Sequence, residues 1–412
     1  MPSRSPAALR SPGVAVPLRY RAVTTETPEV VDEWKVEGSL GRGAFGKVYR
    51  VTEAGSGAGY AMKVCNKDDP LKHRRGGHPP CARAVPPPVA SDAACGVGDD
   101  APPPPPAMPP VASMPPRSPA AGWGGGGAGG GGGGATGTEL DALYEEVSVW
   151  QAVSAANLPA CCHLHAVRES SRKVYMVMDL LGPSLLRSVI DADGAPLFTC
   201  AATGAPLSEA RARALFHDAF TALAGCHTAG IAHGDVKPDN LLVVAEGRHA
   251  VLVDFGKARV MRAETPCVRD GPGTLAFGSP ESLGDAPYDP FAADVWASGA
   301  TLYASLAGRL PCSLTRGAAL LAASGAMAPG VEVPASAAIR AAIEDGTIDP
   351  LTRVVSDAWD ARHCCGGSVT TDDAEWVPPS PDLLDLLPRL LDRDPATRLT
   401  AAAAMRHSWF TN

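Results

Sequence analysis

Three side chains in the middle of the chain have the types and spacing that phosphoryl transfer from a nucleotide requires. Asp235 and Asn240 stand in the run HGDVKPDN, and Asp254 follows fourteen residues after Asn240 in the run DFG. Asp235 is placed to orient a substrate hydroxyl and accept its proton, while Asn240 and Asp254 offer hard oxygen ligands to Mg²⁺. Lys237 can neutralise charge on the moving phosphoryl group. These residues predict transfer of a phosphoryl group from MgATP.

A glycine-rich segment upstream is a candidate nucleotide site. Gly41, Gly43 and Gly46 have the spacing G-x-G-x-x-G, which fits a Rossmann dinucleotide site as readily as a loop over nucleotide phosphates. In a Rossmann fold the third glycine opens a helix, but residues 47–51 alternate and are β-branched, which predicts a strand. We therefore favour a strand, a glycine loop and a second strand that together cover the phosphates, with Lys63 on the strand that follows.

This ordered set of motifs resembles the eukaryotic protein kinases. Later landmarks keep the family's order: SPE at 279–281, DVWASG at 294–299, and Arg398. The resemblance implies an α+β protein with the two-lobed kinase fold, in which a small β-rich N-lobe precedes a larger, mostly helical C-lobe. It also implies ATP and Mg²⁺ as cofactors and a protein substrate. Lys237 and Thr274 favour serine or threonine over tyrosine as the acceptor.

The resemblance assigns further residues to adenine binding. Val48 and Ala61 are expected to cover the adenine ring, and Leu242 to form the floor beneath it. The unbroken apolar run YMVM at 175–178 predicts a strand buried on both faces. Its last residue, Met178, would stand behind the adenine. The residues from Asp179 to Leu181 would offer backbone groups to the base.

A helical carboxylate must hold Lys63 toward the phosphates. Residues 139–150 have a helical pattern, and Glu146 is the preferred partner because Val147 and Trp150 resemble the apolar face of the family's regulatory helix. Glu145 would point about 100° away. The alternative is that both glutamates are solvated surface charges.

The resemblance also implies structural contacts in the C-lobe. Glu281 is expected to pair with Arg398, and Asp294 to accept hydrogen bonds from the catalytic-loop backbone. Thr274 is expected to bond Asp235. Residues 208–230 have a helical stripe with Ser208 as the N-cap.

Composition divides the chain into a tail, a kinase domain and an insert. Residues 66–137 hold a run of five prolines and a segment with ten glycines and one alanine, which predicts disorder because so little apolar surface can be buried. The predicted divisions are a disordered tail at 1–33, a kinase domain at 34–412, an N-lobe at about 34–181 that contains the insert, a C-lobe at about 182–412, and a loop insertion at about 360–381.

The insert also suggests a subfamily. It opens with the basic, proline-rich run DDPLKHRRGGHPP, and its position and composition resemble those of the calcium/calmodulin-dependent protein kinase kinases. Upstream kinases that activate AMP-activated-type metabolic kinases in plants and algae suit the length better, and we expect no calmodulin-binding segment. Gly234 stands where the family usually has an arginine that clamps a phosphorylated loop. We therefore expect activity that depends little on loop phosphorylation.

Bulk properties exclude several classes. A net charge of −8 with scattered basic residues argues against nucleic-acid binding, and no run of eighteen apolar residues predicts a membrane span. Eleven cysteines without a framework spacing favour a reducing, cytoplasmic location. A nuclear location and an arginine-rich organelle transit peptide at the N-terminus stay open. The cluster CCHLH at 161–165 suggests zinc, but its spacing favours buried strand and loop residues.

Two other functions compete with the active kinase. A pseudokinase or scaffold is suggested by Gly234, by Ser279 in place of the usual alanine, and by the long insert. Gly234 adds backbone freedom beside Asp235, and a small misplacement of a catalytic group is costly. A small-molecule kinase is disfavoured by the SPE run and by Asp294.

Overall fold

The fold is described from a computed structural model, which covers most of the chain outside the proline- and glycine-rich region. The described residues are 21–27, 29–43, 46–67, 139–190, 196–200, 206–244, 247–262, 266–312, 314–324, 334–349, 351 and 378–412. They belong to one compact unit, and a second unit, residues 78–136, falls outside them. The predicted disorder of the insert from residue 68 onward, and the predicted loop at 360–377, concern residues outside this set and stay predictions.

The first lobe is a curled sheet. Its strands are β1 (Arg21–Ala22), β2 (Val30–Val31), β3 (Trp34–Gly43), β4 (Gly46–Glu53), β5 (Gly59–Asn66), β6 (Leu164–Glu169) and β7 (Lys173–Asp179). Within the described residues they lie in the order β1-β6-β7-β5-β4-β3-β2. The pairing of β1 with β6 is parallel, and the others are antiparallel. The glycine-rich segment is thus a hairpin between β3 and β4, as the sequence predicts.

Helix α1 (Glu139–Ala155) packs on one face of this sheet, and a second apolar cluster covers the other face. Strand β7 shows why both faces are apolar. Met176 lies in the core cluster with α1, while Tyr175 and Val177 lie in the opposite cluster with Trp34. Because successive side chains of a strand point to opposite faces, an unbroken apolar run suits this strand. The predicted burial of residues 175–178 is confirmed.

The second lobe is mostly helical. Its elements are β8 (Leu186–Ile190), β9 (Pro196–Cys200), α2 (Glu209–Thr228), β10 (Ile231–Ala232), β11 (Leu241–Val244), β12 (His249–Leu252), β13 (Arg259–Val260), α3 (Pro290–Ala307), α4 (Leu314–Ala323), α5 (Ala335–Asp345), α6 (Pro381–Leu390), α7 (Ala401–Ala404) and α8 (Ser408–Thr411). None of the helices in the described ranges is long and apolar enough to cross a membrane.

Helix α2 delivers the chain to the catalytic loop. The side chain of Ser208 accepts a hydrogen bond from the Arg211 amide at its N-terminus, and the predicted stripe, including Phe216 and Leu223, is buried. The chain then turns at Gly230, whose φ of 74° is in the left-handed region that suits glycine. The predicted helix and its N-cap are confirmed.

The prediction of a disordered tail over residues 1–33 is wrong for its last part. Strand β1 pairs with β6, β2 pairs with β3, and Val31 is buried beside Trp34. Asp32 lies 3.3 Å from the Arg168 guanidinium. These partners stand far away in sequence, so local composition did not reveal them.

Two other predicted boundaries shift by a few residues. Asn66 ends β5, and Lys67 Nζ lies 2.5 Å from Glu169 Oε1, so the sheet extends into the predicted insert. At the other boundary, Pro381 opens α6 with Ser380 as the N-cap. Proline is favoured in the first helical turn, where no backbone N–H is needed.

Candidate active site

The site begins with a buried ion pair between the two parts of the N-lobe. Lys63 on β5 and Glu146 on α1 approach to 2.5 Å between Nζ and Oε1, and only 7% and 2% of their side chains are exposed. Burial alone would lower the pKa of Lys63, but the charges of Glu146 and Asp254 outweigh it and raise the pKa above its usual value. Lys63 is therefore a fixed cation. The contact that the sequence predicts is present.

The neighbouring glutamate points elsewhere on the same helix. Glu145 is half exposed, and its Oε2 accepts a hydrogen bond of 3.0 Å from Arg259 Nη1. On the buried side, Val147 and Trp150 pack in the core. Glu146 and not Glu145 contacts Lys63, because the two glutamates lie on different faces of α1. The alternative that both glutamates are solvated is wrong for Glu146.

Asp235 is held by two side chains. Thr274 Oγ1 donates to its Oδ1 at 2.6 Å, and Lys237 Nζ donates to its Oδ2 at 2.7 Å. Lys237 Nζ also donates to Thr274 Oγ1 at 2.9 Å. This closed triangle orients the carboxylate before any substrate is bound.

Asn240 lies on the other side of Asp235. Its Nδ2 donates to the Asp235 carbonyl at 2.8 Å and to Oδ2 at 3.2 Å. Because the amide nitrogen is occupied, the amide oxygen is the group that Asn240 can offer to a cation.

Asp254 faces Lys63 from the loop after β12. Its backbone has a φ of 63°, a conformation that residues other than glycine rarely adopt. Its Oδ1 lies 3.5 Å from Lys63 Nζ. Burial alone would raise the pKa of Asp254, but the charges of Lys63, His233 and Lys237 lower it. Asp254 is therefore an ionised carboxylate at neutral pH.

Aromatic packing joins these loops to α1. The Phe255 ring lies 6.0 Å from the Trp150 ring and 5.3 Å from the His233 ring. His233 Nε2 in turn donates to the Val253 carbonyl at 3.0 Å. Contacts between these three buried rings thus connect the catalytic loop, the DFG loop and α1.

A buried aspartate in the first part of α3 accepts hydrogen bonds from the backbone of the catalytic loop. Asp294 accepts hydrogen bonds from the backbone amides of His233 at 2.7 Å and Gly234 at 2.8 Å, and His227 Nε2 lies 3.0 Å away. The predicted role of Asp294 is confirmed.

The segment after the DFG loop is anchored in the C-lobe as predicted. Arg398 donates to both oxygens of Glu281, at 2.6 and 3.0 Å, and to the Ala292 carbonyl at 2.8 Å. The Arg398 guanidinium also lies over the Trp296 ring at 5.2 Å. Such two-pronged pairs fix geometry as well as charge.

The glycines of the hairpin have different environments. A Cβ on Gly46 would lie 2.2 Å from the Val64 carbonyl oxygen, so this position needs glycine for β4 to approach β5. A Cβ on Gly41 would meet open space. Gly43 ends β3 and pairs with Gly46, and Gly41 pairs with Val48.

The predicted adenine-binding residues are brought together in part. Ala61 pairs with Met178 across β5 and β7, and Val48 and Leu181 pack against the same core cluster. Leu242 is half-buried on β11 and lies outside that cluster. Separately, Asp179 bonds through its side chain to His165 Nε2 at 2.6 Å.

Two residues with a structural role around the site were not predicted from the sequence. A Cβ on Gly273 would lie 2.7 Å from Asp235 Oδ1 and 2.5 Å from the Gly234 carbonyl oxygen, so Gly273 allows the close approach of Thr274. Arg259 links Glu145 to Asp270, each at 3.0 Å. The signal for Gly273 was its place before Thr274, but nothing local indicated the partners of Arg259.

The cluster at 161–165 does not form a metal site. In the described ranges, no group of three or more His, Cys, Asp or Glu side chains has metal-site geometry. Cys161 and Cys162 are buried, and Cys161 Sγ lies 3.8 Å from Cys226 Sγ. The predicted burial of the two cysteines is confirmed.

The donor set near Lys63 fits a divalent cation whose coordination is completed by phosphate and water. Glu146 and Asp254 place two carboxyl groups around the single ammonium of Lys63. Asp254 and Asn240 offer hard oxygens, which Mg²⁺ prefers, and Mg²⁺ is usually bound by one or two carboxylates plus substrate phosphates.

The chain is similar to known protein kinases. The protein kinase domain family matches residues 135–410. CBL-interacting protein kinase 20 of Oryza sativa subsp. japonica is 29% identical over 278 residues, which cover 66% of this chain and 47% of that protein. Testis-specific serine/threonine-protein kinase 3 of Mus musculus is 36% identical over 140 residues, which cover 34% and 47%.

A third relative, CBL-interacting serine/threonine-protein kinase 16 of Arabidopsis thaliana, is 27% identical over 289 residues, which cover 68% of this chain and 45% of that protein. The chain thus spans about half the length of the curated relatives it matches. The family match begins after Lys63, yet the structure joins Lys63 to Glu146 inside the match. With most of its length matched and this site assembled, the chain belongs to the protein kinase family.

Proposed function

We propose that this protein transfers the γ-phosphoryl group of MgATP to serine or threonine hydroxyls of protein substrates. One observation carries the proposal: Asp235 is held by Lys237 and Thr274, and its carbonyl and carboxylate both accept from Asn240. A catalytic base needs a fixed position within reach of the substrate hydroxyl. These hydrogen bonds hold the Asp235 carboxylate in one position.

The nucleotide would be positioned by the hairpin and by Lys63. The Lys63 ammonium, fixed by Glu146, is a cation for the phosphates, and the β3–β4 hairpin covers them. Asp254 and Asn240 would hold Mg²⁺, which when bound neutralises charge on the phosphates. Most of the catalytic effect then comes from positioning and electrostatics.

Asp235 would act on the acceptor. An oxygen of its carboxylate accepts the hydrogen bond of the substrate hydroxyl and takes its proton as the oxygen attacks. The Lys237 ammonium, 2.7 Å from Asp235 Oδ2, lies close enough to offset negative charge near the moving group. The Lys237–Thr274 contact supports serine or threonine as the acceptor.

The finer proposal concerns the substrate. The position and basic, proline-rich composition of the insert support an upstream kinase that phosphorylates the activation-loop threonine of another kinase. We also propose a cytoplasmic location, on the basis of the cysteine composition.

The test is a radiolabelled phosphotransfer assay with MgATP. Wild type and Asp235→Asn are compared on a generic protein and on a catalytically dead metabolic kinase that retains its activation-loop threonine. We expect Asp235→Asn to lose transfer and keep MgATP binding. The matched control is Asp239→Asn, an exposed aspartate of the same loop, which should still transfer.

The outcomes separate the proposals. Transfer to the threonine of the dead kinase supports the upstream role, and transfer only to generic protein contradicts it. MgATP binding without transfer by wild type contradicts catalysis and supports a scaffold.

A further inference from the structure

Arg259 joins two separate parts of the active site. Its Nη1 donates to Glu145 on α1 and its Nη2 donates to Asp270 in the segment before Thr274, each at 3.0 Å. We call Glu145, Arg259 and Asp270 the Arg259 bridge. Residues 145 and 259 are 114 positions apart, so the bridge is a tertiary feature.

Each end of the bridge is within four residues of a side chain that holds a candidate catalytic residue. Glu145 precedes Glu146, which holds Lys63. Asp270 precedes Thr274 by four residues, and Thr274 holds Asp235. A movement of α1 would therefore disturb the Glu146–Lys63 contact. A movement of the segment around Asp270 would disturb the Thr274–Asp235 contact.

The segment around Asp270 is tied down at the same point. Tyr288 Oη donates to the Asp270 carbonyl at 2.8 Å. Val268 and Tyr288 exchange two backbone hydrogen bonds, of 2.9 and 3.0 Å. The backbone of this stretch is thus fixed on the C-lobe, and the Asp270 side chain is left to reach Arg259.

No arginine stands beside Asp235 to clamp a phosphate on this segment, because residue 234 is glycine. Arg259 is already engaged by two carboxylates. Asp270 places its carboxylate 3.0 Å from Arg259 Nη2. The negative group that a phosphate on this segment would offer to Arg259 is already supplied by Asp270.

We propose that the Arg259 bridge positions α1 and the Thr274 segment without phosphorylation, with Asp270 supplying the negative charge. Glu145, Arg259 and Asp270 are positioning residues, since they act through Glu146 and Thr274. The proposal rests on the proposed kinase function for its activity readout, and on the structure alone for its conformational readout.

The expected effects are moderate because the bridge is exposed. Arg259, Glu145 and Asp270 are 37%, 50% and 68% exposed in their side chains. Exposed ion pairs contribute little and are screened by salt. Loss of the bridge should therefore lower the turnover number by about two- to fivefold at low salt. The difference from wild type should shrink at high salt.

The experiment uses the full chain after phosphatase treatment. Turnover at saturating MgATP and substrate is measured for wild type, Asp270→Asn, Arg259→Gln and the double variant, with Asp270→Glu as the conservative variant. The matched control is Arg389→Gln, which removes an exposed Arg–Asp pair on α6. Hydrogen–deuterium exchange of residues 266–277 is followed in parallel.

We expect phosphatase-treated wild type to stay active. Asp270→Asn, Arg259→Gln and the double variant should fall equally and exchange faster at 266–277, while Asp270→Glu and Arg389→Gln resemble wild type. Additive effects of the two single variants, or unchanged turnover and exchange, overturn the bridge. Loss of wild-type activity on phosphatase treatment overturns it too. If wild type transfers nothing but Asp270→Asn still exchanges faster, the bridge stands and the proposed function fails.

Discussion

At the residue scale, two glycines decide where Asp235 stands. Gly234 has a φ of 76°, and a Cβ there would lie 2.6 Å from the Lys257 carbonyl oxygen. Gly273 allows its segment to touch the Asp235 side chain. From the sequence, Gly234 was a missing arginine and a source of backbone freedom; the structure shows that its φ is one that glycine adopts without strain.

Gly234→Ala should lower the free energy of unfolding by about 1–3 kcal/mol, because an L-residue is strained at this φ and contacts Lys257. Chemical denaturation measures the change. Gly271→Ala is the control, since a Cβ there meets nothing within 4 Å. Equal midpoints for the two variants would contradict the argument.

Gly273→Ala should act on catalysis. Its Cβ would push against Asp235 Oδ1 and Cβ, at 2.7 and 2.8 Å, and about 1 Å of misplacement can cost about 10²-fold in rate. The turnover number should fall with little change in MgATP affinity, as steady-state kinetics and calorimetry would show. An unchanged turnover number would show that Asp235 tolerates the displacement.

Cys65 gives a prediction that depends on pH. Burial raises the pKa of its thiol to about 12, so at pH 8 it is neutral and a poor nucleophile. Iodoacetamide at that pH should label the exposed Cys267 and leave Cys65 unlabelled, as peptide mass spectrometry would show. Labelling of Cys65 at the rate of Cys267 in folded protein would contradict the buried position.

At the scale of elements, one ion pair anchors the segment between the DFG loop and α3. The Arg398 side chain is 0% exposed and meets Glu281 in two hydrogen bonds. A buried charge that loses its partner is costly, whereas an exposed pair is weak. The same lobe also contains an exposed ion pair, Arg389–Asp385, for comparison.

Glu281→Gln should lower the free energy of unfolding by about 3–5 kcal/mol, because it leaves Arg398 charged and unpaired inside the protein. Arg389→Gln, which removes the exposed partner of Asp385, should cost about 1 kcal/mol or less. Thermal or chemical denaturation of both variants gives the comparison. Similar costs for the two would show that the Glu281 pair is solvated.

At the scale of the whole molecule, the kinase site assembles across a long stretch of proline- and glycine-rich sequence. Lys63 and Glu146 meet although 83 positions separate them. Lys67, bound to Glu169, is the last residue described before the gap, and α1 begins at Glu139. The entropy of closing a loop grows only slowly with its length, so this separation does not prevent the contact.

Replacing residues 69–137 with a flexible linker of about ten residues should raise the free energy of unfolding by roughly 2 kcal/mol and keep phosphotransfer to a generic protein. Shortening should stabilise the protein because a disordered segment, as the sequence predicts, contributes only the entropy cost of closing the loop. Denaturation and the transfer assay measure the two quantities. A loss of stability on shortening would show that the insert packs on the lobes.

The sequence alone determined the features that depend on local order. The motif runs around Asp235 and Asp254, the helical stripe of α2 and the apolar run of β7 each express a periodicity or a spacing within one segment. Glu146 was identified in the same way, because a helical face separates it from Glu145. The pairing of Glu281 with Arg398 was implied by the resemblance to the protein kinases.

Only the tertiary structure showed the distant contacts that no motif marks. The strands at Arg21–Ala22 and Val30–Val31, the contact of Gly273 with Asp235, and the Arg259 bridge all join segments whose own composition is unremarkable. Their energies arise from partners on other elements, and a pattern within one segment carries no record of a partner elsewhere. For that reason the candidate catalytic residues and their partners in the motifs could be named from the sequence, while Gly273 and the Arg259 bridge required the fold.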